Sequence, residues 1–252
     1  VTAVTDYLRA DLSHSRFEEV DFSRSRFHNV YFRDTVIRGA WLQRVEVDGY
    51  IDDLTINGVD VGPLIEAELD RRDPDRTLLR PTDADGFREA WPVVVRRWDA
   101  AVQRARSLPE DALHERVDGE WSFIETLRHL IFVTDAWLLR AVQGNPAPFH
   151  PLGLVHTEMP VDTPAVPHDT EARPSLDEIL AVRTERMATV ARALDELTDE
   201  QLDAMTRPVL EPGYPASESY AVRRCFTTVL NEEWLHREYA ERDLGRLEGQ
   251  ST

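Results

Sequence analysis

The sequence predicts a mainly α protein, a four-helix bundle preceded by a short repeat segment. Two observations carry that prediction. Between residues 83 and 244, four segments of 20 or more residues place apolar side chains at helical spacing. Between Ala10 and Gly49 the pattern instead repeats every five residues, which neither a helix nor a strand produces. Gly62-Pro63 marks the change of style, so the expected division is 1–62 for the repeat segment and 63–252 for the bundle.

Read in fives from Ala10, the central residues are Leu12, Phe17, Phe22, Phe27, Phe32, Ile37, Leu42 and Val47, all large and apolar. Two positions earlier stand Ala10, Ser15, Val20, Ser25, Val30, Thr35, Ala40 and Val45, all small or β-branched. This pattern resembles the pentapeptide-repeat family. The resemblance implies a right-handed quadrilateral β-helix with four pentapeptides to a coil. Eight repeats then make about two coils, too few to bury a core alone. The segment is read as a cap or docking platform, through which a homodimer or a protein partner would form. Tyr50 to Val61 loses the period and reads as an irregular last coil or a short hairpin.

Pro63 to Leu69 reads as a short helix, followed by the polar turn Arg71-Arg72-Asp73-Pro74-Asp75. Asp83 or Asp85 is the expected N-cap of the first long helix, which runs to about Ser107, with Pro92 as a kink or first-turn residue. The second long helix is expected from about Trp121 to Val142 and is apolar on several faces, so it is central and buried. A proline-rich loop, Ala147 to Arg173, contains His150, His156 and His168. The third helix follows the N-cap Ser175 to Leu197, and the fourth runs from about Tyr220 to Leu244.

Composition narrows function. Of 252 residues, 42% are hydrophobic and 30% charged, ordinary for a globular protein. No apolar run reaches the roughly 20 residues that span a bilayer. The start, Val1 to Asp11, lacks the basic and apolar stretches of a secretory leader, so the expected compartment is cytoplasmic. The net charge of −18 argues against a nucleic-acid partner. A duplex-mimicking inhibitor is disfavoured too, since residues 1–62 carry 11 acids and 7 arginines, a net of −4. The chain has no lysine, which excludes Schiff-base and P-loop chemistry. A single cysteine, Cys225, excludes multi-cysteine metal sites.

One constellation carries chemistry. On the fourth helix, Val222, Cys225, Val229, Glu232 and His236 recur at steps of three and four, forming one stripe. A glutamate continuing an apolar seam needs a cation or several donors, and a histidine one turn later can grip the same ion. His129 is the only histidine in the apolar second helix and is the natural third ligand. Glu125, one turn earlier, is a candidate ligand or outer partner of His129. Glu233 points about 100° away from Glu232 and is expected to be solvated or paired with arginine. Cys225 reads as a buried, inert thiol. His150 and His156 are candidate acid–base groups on the loop.

The stretches WSFIETLRHLIFVTDAWLLRAV (121–142) and VLNEEWLHREYAERDL (229–244) resemble the DinB-like superfamily of metal-binding four-helix bundles. That family places a histidine in its second helix and a His/Glu-x-x-x-His pair in its last, which map to His129, Glu232 and His236. Members include mycothiol-dependent maleylpyruvate isomerase and bacillithiol transferases. The resemblance implies one divalent metal ion, with zinc favoured and nickel, manganese or iron compatible. It also implies an enzyme that activates a low-molecular-weight, mycothiol-like thiol for transfer to, or isomerisation of, a small-molecule electrophile. The alternative is a metal-binding interaction module without catalysis.

Overall fold

The computed structural model describes residues 6–250. Val1 to Thr5, part of the start read above for a leader, lie outside the described residues. Contacts divide the chain into two units, 1–50 and 51–252.

In the first unit the five-residue period is written into the backbone. Arg9, His14, Glu19, Arg24, Asn29, Asp34, Gly39 and Arg44 all have left-handed φ, between 49° and 67°. A left-handed residue at every fifth position turns the chain by the same amount each time. Asp11 and Asp21 accept from the backbone N–H of Ser13 and Ser23, at 2.9 and 2.8 Å, and fix the local turns. The rings of Phe17, Phe22, Phe27 and Phe32 meet edge to face, at centroid separations of 5.6, 5.8 and 5.8 Å. No residue of 6–50 is in a strand, and the large apolar residues stay exposed.

The second unit opens with a hairpin, β1 (Thr55–Ile56) and β2 (Val59–Asp60). Asn57 and Gly58 supply the two positive φ values, 51° and 81°, that a tight two-residue connection requires. Of the two readings for this stretch, the hairpin is the one that forms. Helix α1 (Gly62–Arg72) has Pro63 in its first turn and outruns the short helix expected, and a 3-10 turn, Pro74–Leu79, follows.

Four long helices form the bundle. Helix α2 (Ala84–Ala105) is capped by Asp83, whose carboxylate accepts from Gly86 N–H at 2.8 Å. Pro92 lies inside α2, not in its first turn. Helix α3 (Phe123–Thr134) begins at a capping box made by Ser122 and Glu125. It continues without a break into wider π turns over Asp135–Val142. Helix α4 (Leu176–Glu196) repeats the box with Ser175 and Glu178. A one-turn helix, α5 (Asp199–Leu202), precedes α6 (Val222–Gln250). Helix α6 outruns its expected end because Leu247 is buried and Glu248 pairs with Arg104 at 3.0 Å.

Helix α3 packs on α4 and α6, and α2 packs on the same two. Phe87, Trp98, Ile124, Leu130, Ile179 and Leu244 fill the interior. Each such side chain contributes about 1.5–3 kcal/mol through burial. Among the described residues, no helix is long and apolar enough to cross a membrane.

Buried guanidinium groups then tie the loops to α3. Arg128 donates to the carbonyls of Leu152 and Ala172, each at 2.9 Å, and to that of Asp169. Arg140 donates to Pro146 at 3.0 Å, Glu211 at 2.5 Å and Pro215 at 3.5 Å. Gly213 passes so close that a Cβ there would meet Arg140 Cζ at 2.9 Å. Only a guanidinium offers five donors in a rigid fork, so lysine is no substitute at these positions.

Candidate metal centre

His129 sits in the middle of α3, and Glu232 and His236 face it from α6. The seam of α6 explains the approach. Val222, Cys225 and Val229 are buried on the same stripe, so the next two members are carried to the α3 interface. One ligand atom from each of His129, Glu232 and His236 lies within 4.8 Å of the others. Glu232 Oε2 is 3.5 Å from His129 Nε2 and 3.1 Å from His236 Nε2.

The loop completes His129. Its Nδ1 lies 3.0 Å from the carbonyl oxygen of Leu154, a group that can only accept. Nδ1 therefore carries the proton, and Nε2 presents its lone pair to Glu232. Burial pushes His129 below its ordinary pKa, partly offset by Glu232. Burial alone would raise the Glu232 carboxyl, but hydrogen bonding to His129 and His236 outweighs it and holds the group well below the usual carboxylate range. With Nδ1 protonated, His129 Nε2 and the carboxylate oxygen 3.5 Å from it both present lone pairs, which a cation between them satisfies. A proton satisfies one pair, whereas a divalent ion satisfies all three. The donor set of two imidazoles and one carboxylate is that of an open, three-ligand metal site.

Aromatic rings hold the ligands in place. Trp121, just ahead of α3, packs against His129 at 4.5 Å and stacks on His236 at 5.6 Å. Phe132 lies one turn beyond His129 and stacks on Phe149 and Tyr214. The sequence marks Trp121 only as an expected helix start, and the helix begins two residues later, at Phe123; the role of Trp121 depends on which rings fold over it. The side chains of Glu232 and His236 keep 36% and 18% of their surface exposed, so solvent reaches the ligand face.

The other candidates divide. His156 packs against Tyr214 at 5.5 Å and lies within electrostatic reach of Glu232. Burial pushes its pKa down. His150 is not brought to the triad. Its N–H donates to Asp135 at 2.8 Å and its Nδ1 accepts from Leu152 N–H at 3.1 Å, beside Arg186. Glu125 is not the outer partner of His129. Its carboxylate closes the cap on Ser122 N–H at 2.9 Å and pairs with Arg116. Glu233 pairs with arginine, as one of its two readings had it, but it is buried and not solvated. Arg183 grips it with two bonds of 2.7 Å. Cys225 is buried, and burial pushes its thiol up to about 11.

Two known families match the chain. Pentapeptide repeats, in eight copies, match residues 9–45. The DinB superfamily matches residues 94–240, a span that contains all three candidate ligands. No curated protein and no solved structure matches the chain. The match covers more than half the chain, and the chain belongs to the DinB superfamily.

Proposed function

We propose that the protein is a divalent-metal-dependent enzyme that activates a low-molecular-weight thiol, such as mycothiol, for transfer to or isomerisation of a small electrophile. The observation that carries this reading is the triad His129, Glu232 and His236, three donors on two helices with a solvent-reachable face. Zinc suits this donor set, and nickel, manganese and iron are compatible with it. A bound divalent ion supplies Lewis acidity that keeps a thiol ionised near neutral pH.

The chain's own residues do the rest. The Leu154 carbonyl holds His129 in the tautomer that leaves Nε2 free. Trp121 packs on both histidine rings and limits water at their backs. His156 and the phenol of Tyr214, side by side near Glu232, are placed to exchange a proton with a bound reactant. Cys225 stays protonated, with its thiol near 11, so the thiolate has to come from a bound small molecule.

The test has two arms. Metal analysis of the purified protein should give about one ion per chain, lost in His236→Ala. The zinc-loaded protein should form S-conjugates from a bacterial thiol and 1-chloro-2,4-dinitrobenzene, and His129→Ala should not. Metal binding without conjugation by any bacterial thiol would leave the interaction module as the better reading.

That second reading has its own observation. Phe17, Phe22, Phe27 and Phe32 are each about half exposed, and Trp41 and Tyr50 more so. Residues 10–50, too short a coil to bury them, would present these side chains to a protein partner or a second copy. The net charge of −4 over residues 1–62 argues against a mimic of duplex DNA.

A further inference from the structure

A track of aromatic rings leads away from the triad and ends at an arginine. From His129 it passes to Phe132 at 6.1 Å and to Tyr214 at 5.6 Å. It continues to Trp137 at 6.1 Å and to Tyr220 at 5.4 Å. The guanidinium of Arg224 stands 5.8 Å from the centres of both last rings. Arg224 and Glu232 are eight residues apart on α6. That places them about 12 Å apart along the helix axis. Tyr214 lies within electrostatic reach of both, so it bridges the interval.

The arginines around the site differ in one respect. Arg183 is committed to Glu233, Arg186 to Asp135, and Arg237 to Glu241. Arg128 and Arg140 are committed to loop carbonyls. Among the described residues, Arg224 makes no ion pair with any carboxylate, and its partners are the two ring faces. It is exposed, while Trp137, Tyr214 and Tyr220 are partly buried. A guanidinium held over aromatic faces keeps its N–H edge free for a carboxylate, and that edge matches a carboxylate in a two-pronged fit.

We propose that Arg224 is the anchor for a carboxylate on the electrophilic substrate. The flat or apolar body of the substrate lies along Tyr214 and Trp137, and its reactive end meets the thiol at the triad. The substrate class is thus an unsaturated or aromatic acid, with the acid group about 10 Å from the reactive carbon. The proposal rests on the metal–thiol reading above and adds specificity to it. Arg224 acts by binding, and takes no part in the proton chemistry.

An ω-mercapto acid imitates both occupants in one molecule. The protein loaded with cobalt would be titrated with 8-mercaptooctanoate and, separately, with 8-mercaptooctanol, following the thiolate-to-cobalt absorption. The acid should bind about tenfold tighter than the alcohol, the value of one charge-assisted hydrogen-bonded contact. In Arg224→Gln the ratio should fall to about one, and circular dichroism would confirm that the variant is folded. A ratio near one in the wild type, or an unchanged ratio in the variant, would overturn the Arg224 site while leaving the metal–thiol reading intact. Absence of the cobalt–thiolate band with both ligands would overturn both.

Discussion

Two adjacent glutamates on α6 meet opposite fates. Glu233 turns into the bundle core, where Arg183 answers it with two bonds of 2.7 Å and neither side chain is more than 3% exposed. Glu232 turns to the α3 edge, where it meets two imidazoles, Leu154 holds one of them with its lone pair forward, and solvent has access. The first carboxylate is neutralised permanently by a covalently attached cation. The second faces imidazole nitrogens that can share an ion with it, so its cation is one that can come and go. A carboxylate paired inside the chain is structural. One left facing lone pairs is a binding site.

The contrast can be broken most sharply through stability. Glu233→Ala leaves the Arg183 charge buried without a partner and should cost about 3–5 kcal/mol in urea unfolding of the metal-free protein. Glu232→Ala should cost far less under the same conditions. Equal losses would show that both glutamates are structural.

The second effect appears only with metal. Zinc at about 100 times its dissociation constant should raise the stability of the wild type by about 2.7 kcal/mol. His236→Ala should weaken zinc binding by at least about 100-fold and remove that gain. Isothermal titration with zinc reads the first quantity, and thermal unfolding with and without zinc reads the second. A variant that still gains stability from zinc would exclude His236 as a ligand.

A smaller effect comes from Cys225, on the same stripe as Glu232. Its thiol is pushed up to about 11, so the folded state keeps a proton that the unfolded chain releases near its ordinary value. The stabilisation is complete below that ordinary value and is lost as pH rises through it towards 11. Alkylation by iodoacetamide near pH 8 should run about 100-fold slower in the folded than in the urea-unfolded protein. Equal rates would mean that the thiol is ionised at the site.

The smallest effect is expected at Glu125. Glu125→Gln removes an ion pair with Arg116 that is half exposed on the arginine side, and should cost less than about 1 kcal/mol. Zinc affinity should not change. A loss of tenfold or more would return Glu125 to the ligand set.

Much of the helical unit is legible in sequence because its signals are local. The caps at Asp83 and Ser175 lie within three residues of the N–H groups they satisfy. The stripe from Val222 to His236 follows from helical spacing alone, and it carries two of the three ligands. The five-residue repeat is equally local, and the backbone repeats it as left-handed φ. What escaped the sequence was the choice among equivalent partners. Glu125 and Glu233 are the same residue type as Glu232, and His150 the same as His156. Their fates depend on whether Arg116, Arg183 or Asp135 folds against them.

By itself, then, the sequence determined the four helices, the repeat and the face of α6 that carries Glu232 and His236, since each rests on spacing within one segment. Only the tertiary structure decided which imidazole nitrogen of His129 is free and where the loop held by Arg140 carries Tyr214. Those outcomes turn on the carbonyls of Leu154, Glu211 and Pro215, which lie 25, 71 and 75 residues from the side chains they hold. Every residue has a carbonyl, so no residue type marks the ones that will be used. Chain folding selects them by bringing them within hydrogen-bond distance.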